Sequence, residues 1–410
     1  MKRSFLIAGL VLAQAFAMPA ALAEPPSPRS APITLAQALA LAWARTPTHR
    51  AQVDRLAQQD ADASVASGWT PGPASVSLSN VNDRLNARTG RQEWEVEWAT
   101  PLWLPGQQAA SQRHAQARAN WLAEQSESQR LELAGRVREV WWQLALARAQ
   151  LRVAADRVAS AQALQSDVER RWQAGDLART DAHAARMDTQ TAQAERVMAQ
   201  REEQRALVAW RLLTGAPAPT EWVAEVVASA DFSYQAHPRM KAASALVELA
   251  NAQLRKTDQS RREAPEVAVR WIRERGAGHD PYANALSVTL KLPLSWGSKV
   301  NAERSGVLAD MAEAQAEQDL VREQLALEAD MARQDVEAAA HTQILSDSRA
   351  ALAADTLRLL QKAFDLGEID LQTLLRARAS AFGAQAELAS SRLARAAAIS
   401  KLNQALGWLP

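Results

Sequence analysis

Apolar residues along this chain follow two rhythms, and each half of the chain switches between them. From Gln107 to Arg171 the sequence is rich in Ala, Leu, Gln, Glu and Arg, lacks proline and holds one glycine, Gly135. Those residue types all favour helix. Val137, Leu144, Leu151 and Val158 fall at steps of seven, as do Leu133, Val140, Ala147 and Ala154. A sustained seven-residue step predicts a left-handed supercoil against neighbouring helices. At 1.5 Å per residue this helix would be about 100 Å long, more than a globular core can hold. A break at Ala174-Gly175-Asp176 is followed by a second helical run from about Arg179 to Leu213. The second half predicts helix from Val300 to Asp365, a turn at Gly367 and helix again to Leu406, with Leu345, Leu352, Leu359 and Leu366 repeating the seven-step. Two helical hairpins broken by glycine result. Shorter helices over Leu35–Ser67 and Pro238–Arg262 precede them.

Between each short helix and its long partner the rhythm becomes strict alternation. Trp94, Val96 and Trp98 alternate with Glu93, Glu95 and Glu97, and Ser75-Val-Ser-Leu-Ser79 alternates likewise. In the second half Val267, Val269 and Trp271 alternate with Ala268 and Arg270; Leu286, Val288, Leu290 and Leu292 alternate with Ser287, Thr289 and Lys291. Period two over about ten residues is the signature of a strand with one apolar and one polar face. Strands are expected at about 73–82, 92–103, 265–274 and 284–294. They could form a soluble hairpin pair packed on the helices. Trp69, Trp103, Trp271, Tyr282 and Trp296 at or near the strand ends, where membrane-interface girdles lie, favour barrel strands.

The halves are copies. Pro101-Leu-Trp-Leu and Pro293-Leu-Ser-Trp, Trp172-Gln-Ala-Gly175 and Phe364-Asp-Leu-Gly367, and Leu-Leu-Thr-Gly215 and Gln-Ala-Leu-Gly407 are each separated by 192 residues. A repeat far longer than solenoid periods predicts pseudo-symmetry within a larger assembly.

Composition narrows the picture. Lys2 and Arg3, an apolar run from Phe5 to Phe16 and Ala21-Leu-Ala23 have the three parts of a secretory signal peptide, expected over residues 1–23. Residues 24–34 would then be a flexible mature N-terminus. No cysteine is present, which excludes a disulfide framework, thiol catalysis and cysteine zinc sites. A net charge of +1, from 47 basic and 46 acidic residues, gives no reason to propose nucleic acid as a partner. Nothing resembles a phosphate loop, a nucleophile elbow or a metalloenzyme motif, so neither an enzyme nor a cofactor is expected. The six histidines show no i,i+4 pair; His183 follows the first turn and His237 precedes Pro238 as a turn residue. Four strands are also too few for a transmembrane barrel, which needs about eight, so several chains must contribute.

The order helix–strand–strand–long helix–helix, twice over, resembles the TolC-like outer-membrane efflux proteins from about Leu35 to Gly407. The most specific segments are the strand-to-helix junctions Ala99-Thr-Pro-Leu-Trp-Leu-Pro-Gly106 and Lys291-Leu-Pro-Leu-Ser-Trp-Gly297, and the turns at Arg171–Asp181 and Ala363–Leu375. Within that family Ala-Gly-Asp-Leu-Ala-Arg-Thr-Asp181 looks most like the heavy-metal (CzcC-like) branch. The resemblance implies an α plus transmembrane β-barrel fold, with a first repeat over 35–215, an equatorial linker over 216–234 and a second repeat over 235–410. It implies a homotrimer with one 12-stranded barrel in the outer membrane of a Gram-negative cell. Most of the chain would form a periplasmic α-helical tunnel meeting an adaptor protein and an inner-membrane pump of the resistance-nodulation-division type. Its function would be a passive exit duct, for heavy-metal cations or alternatively for drugs or type I secreted proteins. A soluble periplasmic coiled-coil scaffold is the alternative of another class.

In such a barrel the polar face lines the lumen: Glu93, Glu95, Glu97, Arg270, Thr289 and Lys291. Trp94, Val96, Trp98, Val267, Val269, Leu286, Val288 and Leu290 would face lipid. The lumen carboxylates could be a selectivity ring or simply solvated. At the tip Gly175 and Gly367 permit tight reversals, and Asp176, Asp181, Glu368 and Asp370 crowd them. These acids could form charged rings that gate cations and meet the adaptor, or could cap the following helices. Where many relatives carry further carboxylates, this chain has Thr373 and Arg376.

Overall fold

The long proline-free stretches are single helices, as their composition demands. The computed structural model describes residues 33–228, 233–294 and 297–410. The expected signal peptide, residues 24–32 of the mature N-terminus and Trp296 lie outside the described residues. The first half contains α1 (Leu35–Arg45), α2 (Pro47–Arg50), α3 (Gln52–Ser67), β1 (Ser75–Asn82), β2 (Gln92–Pro101), α4 (Gln107–Ala174) and α5 (Arg179–Thr214). The second contains α6 (Pro238–Gln259), β3 (Glu266–Arg275), β4 (Ala283–Lys291), α7 (Gly297–Asp365) and α8 (Leu371–Ala405), with a single 3₁₀ turn over Tyr234–Ala236 before α6. α5 and α8 begin 192 residues apart, so the repeat seen in the sequence is a repeat of structure.

One expected helix is three. The stretch from Leu35 to Ser67 breaks at Thr46-Pro47, where the proline lacks an N–H and disfavours helical geometry in the residue before it. Thr46 turns the break into a new start, its hydroxyl accepting from His49 N at 3.2 Å.

The two hairpins pack side by side through α4 and α8. Towards the tip the helices run in the order α5–α4–α8–α7, and towards the sheet in the order α3–α4–α6–α7. The sheet repeats this arrangement. Its four strands are antiparallel in the order β1-β2-β3-β4, the repeats meeting where β2 pairs with β3. At every level one open edge belongs to the first half and the other to the second.

This order explains which seven-step is covered. Val137, Leu144 and Val158 of α4 are buried, because α4 has neighbours on several sides. Leu345, Leu352 and Leu359 of α7, and Leu366 just beyond it, are exposed, with Leu352 at 68 %. The expected packing of the seven-step against neighbouring helices is therefore met within the protomer by the first stripe only. α7 turns Ala314, Leu325, Ala329 and Ala332 inward and the leucines of its seven-step outward.

The main core lies midway along the helices. Leu39 of α1, Val137 and Leu144 of α4 and Trp210 of α5 enclose Trp141, whose ring is tilted 5.7 Å from that of Trp210. Trp210 donates to Pro217 O at 3.0 Å, which ties the linker that follows α5 to this core.

Candidate functional site

Strand register decides which side chains share a face of the sheet. Residues directly opposite one another in an antiparallel pair lie on the same side. Trp98 stands opposite both Val76 and Val269, Val96 opposite Leu78 and Trp271, and Val269 and Val267 opposite Val288 and Leu290. Leu286 faces Trp271, and Trp94 faces Asn80 and Arg273. All eight residues expected to face lipid thus occupy one side of the sheet. Glu93, Glu95, Glu97, Arg270, Thr289 and Lys291 occupy the other.

On the polar side the carboxylates are not merely solvated. Arg270 Nε donates to Glu97 at 2.7 Å, and its guanidinium lies 3.8 Å from Glu95. Two glutamates of one repeat thus share one arginine of the other. Around the strand ends, Trp69 is fully exposed, while Trp103 turns inward and donates to Gly68 O at 2.9 Å.

At the opposite pole the two reversals are built alike. Gly175 N–H donates to Trp172 O and Asp176 N–H to Arg171 O; Gly367 N–H donates to Phe364 O and Glu368 N–H to Ala363 O. This is the bonding of a helix that ends on a left-handed residue, with φ of +91° at Gly175 and +77° at Gly367. Asp181 accepts from Ala178 N at 3.2 Å and Asp370 from Thr373 N at 3.0 Å, so both acids cap helices. Bonds from the Thr373 hydroxyl and backbone hold the Asp370 carboxyl below its usual range. Arg376 donates to the Thr373 hydroxyl at 3.3 Å, extending this cap. His183 is exposed beside the first turn.

Beneath the turns, Phe364, Leu371 and Leu374 of the second hairpin pack with Val168 and Ala185 of the first. Arg171 spans the seam, 2.9 Å from Asp167, 3.4 Å from Asp365, and 5.2 Å over the Phe364 ring. The sequence pattern does not show that Arg171 bridges the hairpins, because Asp365 and Phe364 lie in the other repeat and only Asp167 is a helix neighbour. The same holds midway along the helices, where Arg138 of α4 pairs with Glu225 of the linker and donates to Gln404 of α8 at 2.6 Å. The nearby His237 caps α6, its Nδ1 accepting from Arg239 N at 3.1 Å.

Among the described residues no group of three His, Asp or Glu side chains is placed to hold a metal. No described helix is long and apolar enough to cross a membrane.

The two-faced sheet above paired helical hairpins is the fold of outer-membrane efflux channels. Over 91 % of this chain it superposes with a TM-score of 0.73 on the Campylobacter jejuni CmeC outer membrane channel, at 14 % identity and 85 % coverage of that chain. The outer membrane protein VceC from Vibrio cholerae matches 91 % of this chain with a TM-score of 0.71, at 18 % identity and 96 % coverage. A membrane protein from Pseudomonas aeruginosa matches 91 % with a TM-score of 0.73, at 18 % identity and 90 % coverage. In sequence, residues 74–216, from β1 through α5, match the outer membrane efflux protein family. No curated protein sequence matches the chain.

Proposed function

We propose that this chain is the outer-membrane exit duct of a tripartite efflux system, acting as a homotrimer and passively conducting heavy-metal cations delivered by an inner-membrane pump. One observation carries the reading: among the described residues the sheet and the helical layer are each open at both edges, one edge from each half. Among the described residues β1 and β4 are unpaired on their outer sides. α5 exposes Met187, Val208 and Leu212 at one edge, and α7 exposes its leucine stripe at the other. Edges of this kind call for cover, and joining one protomer's second-half edge to the next one's first-half edge makes a heterologous ring. Three copies supply twelve strands, enough for a transmembrane barrel.

In that ring Trp94, Val96, Trp98, Val267, Val269, Leu286, Val288 and Leu290 face lipid. Glu93, Glu95, Glu97, Arg270, Thr289 and Lys291 face the lumen. The carboxylates outnumber the bases on that side, which favours cations. The reversals at Gly175 and Gly367 form the periplasmic tip and meet the adaptor, with Asp176 and Glu368 as the acids free to line it. Energy comes from a pump of the resistance-nodulation-division type, and the chain itself carries out no catalytic step. Residues 1–23 direct export.

Cell fractionation tests the duct. The protein should be recovered with outer membranes and need detergent for release as a trimer; recovery from the soluble periplasm overturns the reading in favour of a scaffold. Gene deletion tests the cargo. Lower tolerance of zinc, cobalt, cadmium or copper is expected, and unchanged tolerance in cells lacking redundant pumps removes the metal assignment in favour of drugs or secreted proteins.

A further inference from the structure

The apolar face of the sheet carries charge at one level only. Among the paired strand positions on that face there is no Asp or Glu, and the two charged residues are Arg273 and Arg275, both at the end of β3 away from the helices. Moving outward along the face, Trp271 is level with Val96 and Leu286, Arg273 with Trp94 and Asn284, and Arg275 with Gln92. Apolar cover thus gives way within two residues to amides and cations.

The arginines are held together. The Arg273 guanidinium lies 4.4 Å and that of Arg275 4.9 Å from the centre of the Tyr282 ring. Tyr282 is itself fixed, its hydroxyl donating to Gln92 Oε1 at 2.8 Å. Among the described residues neither arginine has a carboxylate within ion-pair distance, and the buried Nε of Arg275 has no hydrogen-bond partner. Two like charges share one aromatic ring without an ion-paired carboxylate, and the polar contact of Arg275 is the Gly278 carbonyl at 3.5 Å. The guanidinium fork matches phosphate oxygens in geometry as well as in charge.

We propose that Arg273 and Arg275, presented on Tyr282, bind the phosphate groups of a lipid in the outer leaflet. The inference rests on the barrel reading above, which turns this face to lipid and its loop end to the cell exterior. Tyrosine, amides and arginine replacing apolar side chains mark headgroup depth. At the helix end of the same face the corresponding positions are Thr100, Val267 and Leu290, without charge. The site is therefore specific to one leaflet. Arginines that merely snorkel from the apolar band would be indifferent to phosphate, and the test separates the two cases.

Binding of lipid A with both phosphates, and of the same lipid A with them removed, is measured on the detergent-solubilised full-length protein by native mass spectrometry. At about fivefold per arginine, Arg273→Gln should weaken binding of the phosphorylated form roughly fivefold and the double variant with Arg275→Gln roughly 25-fold, whereas Arg273→Lys should lose less. The dephosphorylated lipid should bind as weakly to the wild type as the phosphorylated form does to the double variant. Equal binding of both lipids, or unchanged binding by the double variant while its trimer survives, overturns the proposal and leaves the duct standing. A wild-type protein that never enters membranes overturns both.

Discussion

Arg138 of α4 donates from Nε and Nη2 to both carboxylate oxygens of Glu225, at 2.9 and 2.7 Å, and so fastens the linker to the middle of the longest helix of the first half. Both side chains are largely withdrawn from water, 4 % and 14 % exposed. Removing one partner strands a buried charge, so Arg138→Ala is expected to cost roughly 3–5 kcal/mol. Replacing both by apolar residues of similar volume should cost far less. Thermal unfolding in detergent checks this, and a single variant that melts with the wild type would mean that the clamp contributes little.

The glycines at Gly175 and Gly90 separate backbone strain from crowding. Both have positive φ, but a Cβ at Gly175 meets nothing within 4 Å, whereas one at Gly90 would lie 2.5 Å from Gly278 N. Gly175→Ala should therefore cost only the left-handed strain, about 1–2 kcal/mol, and Gly175→Asn less. Gly90→Ala should also part the two strand-connecting loops, which are joined by Gly278 N–H donating to Thr89 O. Protease sensitivity of those loops is the readout; cleavage no faster than in the wild type would contradict it.

His237 links stability to pH. Burial, and secondarily the nearby Arg239, lower its pKa from 6.5 to about 4. The unfolded chain thus binds a proton that the folded chain refuses between these values, so stability is complete above about pH 6.5 and declines as pH falls towards about 4. His237→Asn keeps a helix-capping side chain without the titration. Its melting temperature should change less over this interval than that of the wild type; parallel curves would assign the acid sensitivity to other groups.

The α7 stripe should govern assembly rather than folding. Leu352→Glu places a charge where the ring model needs an apolar contact, yet the side chain touches little within its own chain. Helical content is expected to stay within a few per cent of wild type while the trimer is lost on sizing columns. Leu144→Ala, at a fully buried position, should instead cost about 2–5 kcal/mol within the protomer. A trimeric Leu352→Glu would remove α7 from the interface.

Much was legible in the sequence, for local reasons. Proline-free runs of helix formers predicted both long helices, and α4 ends within three residues of the expected boundary. Alternation predicted four strands and divided their residues into two sets, because side chains of a strand alternate strictly and register only has to bring like faces together. Glycine after a helical run marked both reversals, since few other residues adopt their backbone conformation. What remained illegible involves residues distant along the chain. Arg138 and Glu225, Arg171 and Asp365, and Arg270 and Glu97 are ordinary charged residues until packing joins them.

The sequence by itself determined the elements, their duplication and the two-faced character of the sheet, because these follow from propensity and periodicity within a few turns of chain. Only the tertiary structure decided which seven-step is internal. The leucine patterns of the halves look alike, but α4 is enclosed by neighbours while α7 stands at an edge, and position in the helix order is not encoded in periodicity. It likewise decided that Asp181 and Asp370 serve as caps, since a carboxylate beside a turn satisfies the nearest free N–H groups first. The pairing of β3 with β4 brought Tyr282 to Arg273 and Arg275, since the register that sets Glu274 opposite Ala283 brings the tyrosine level with Arg275.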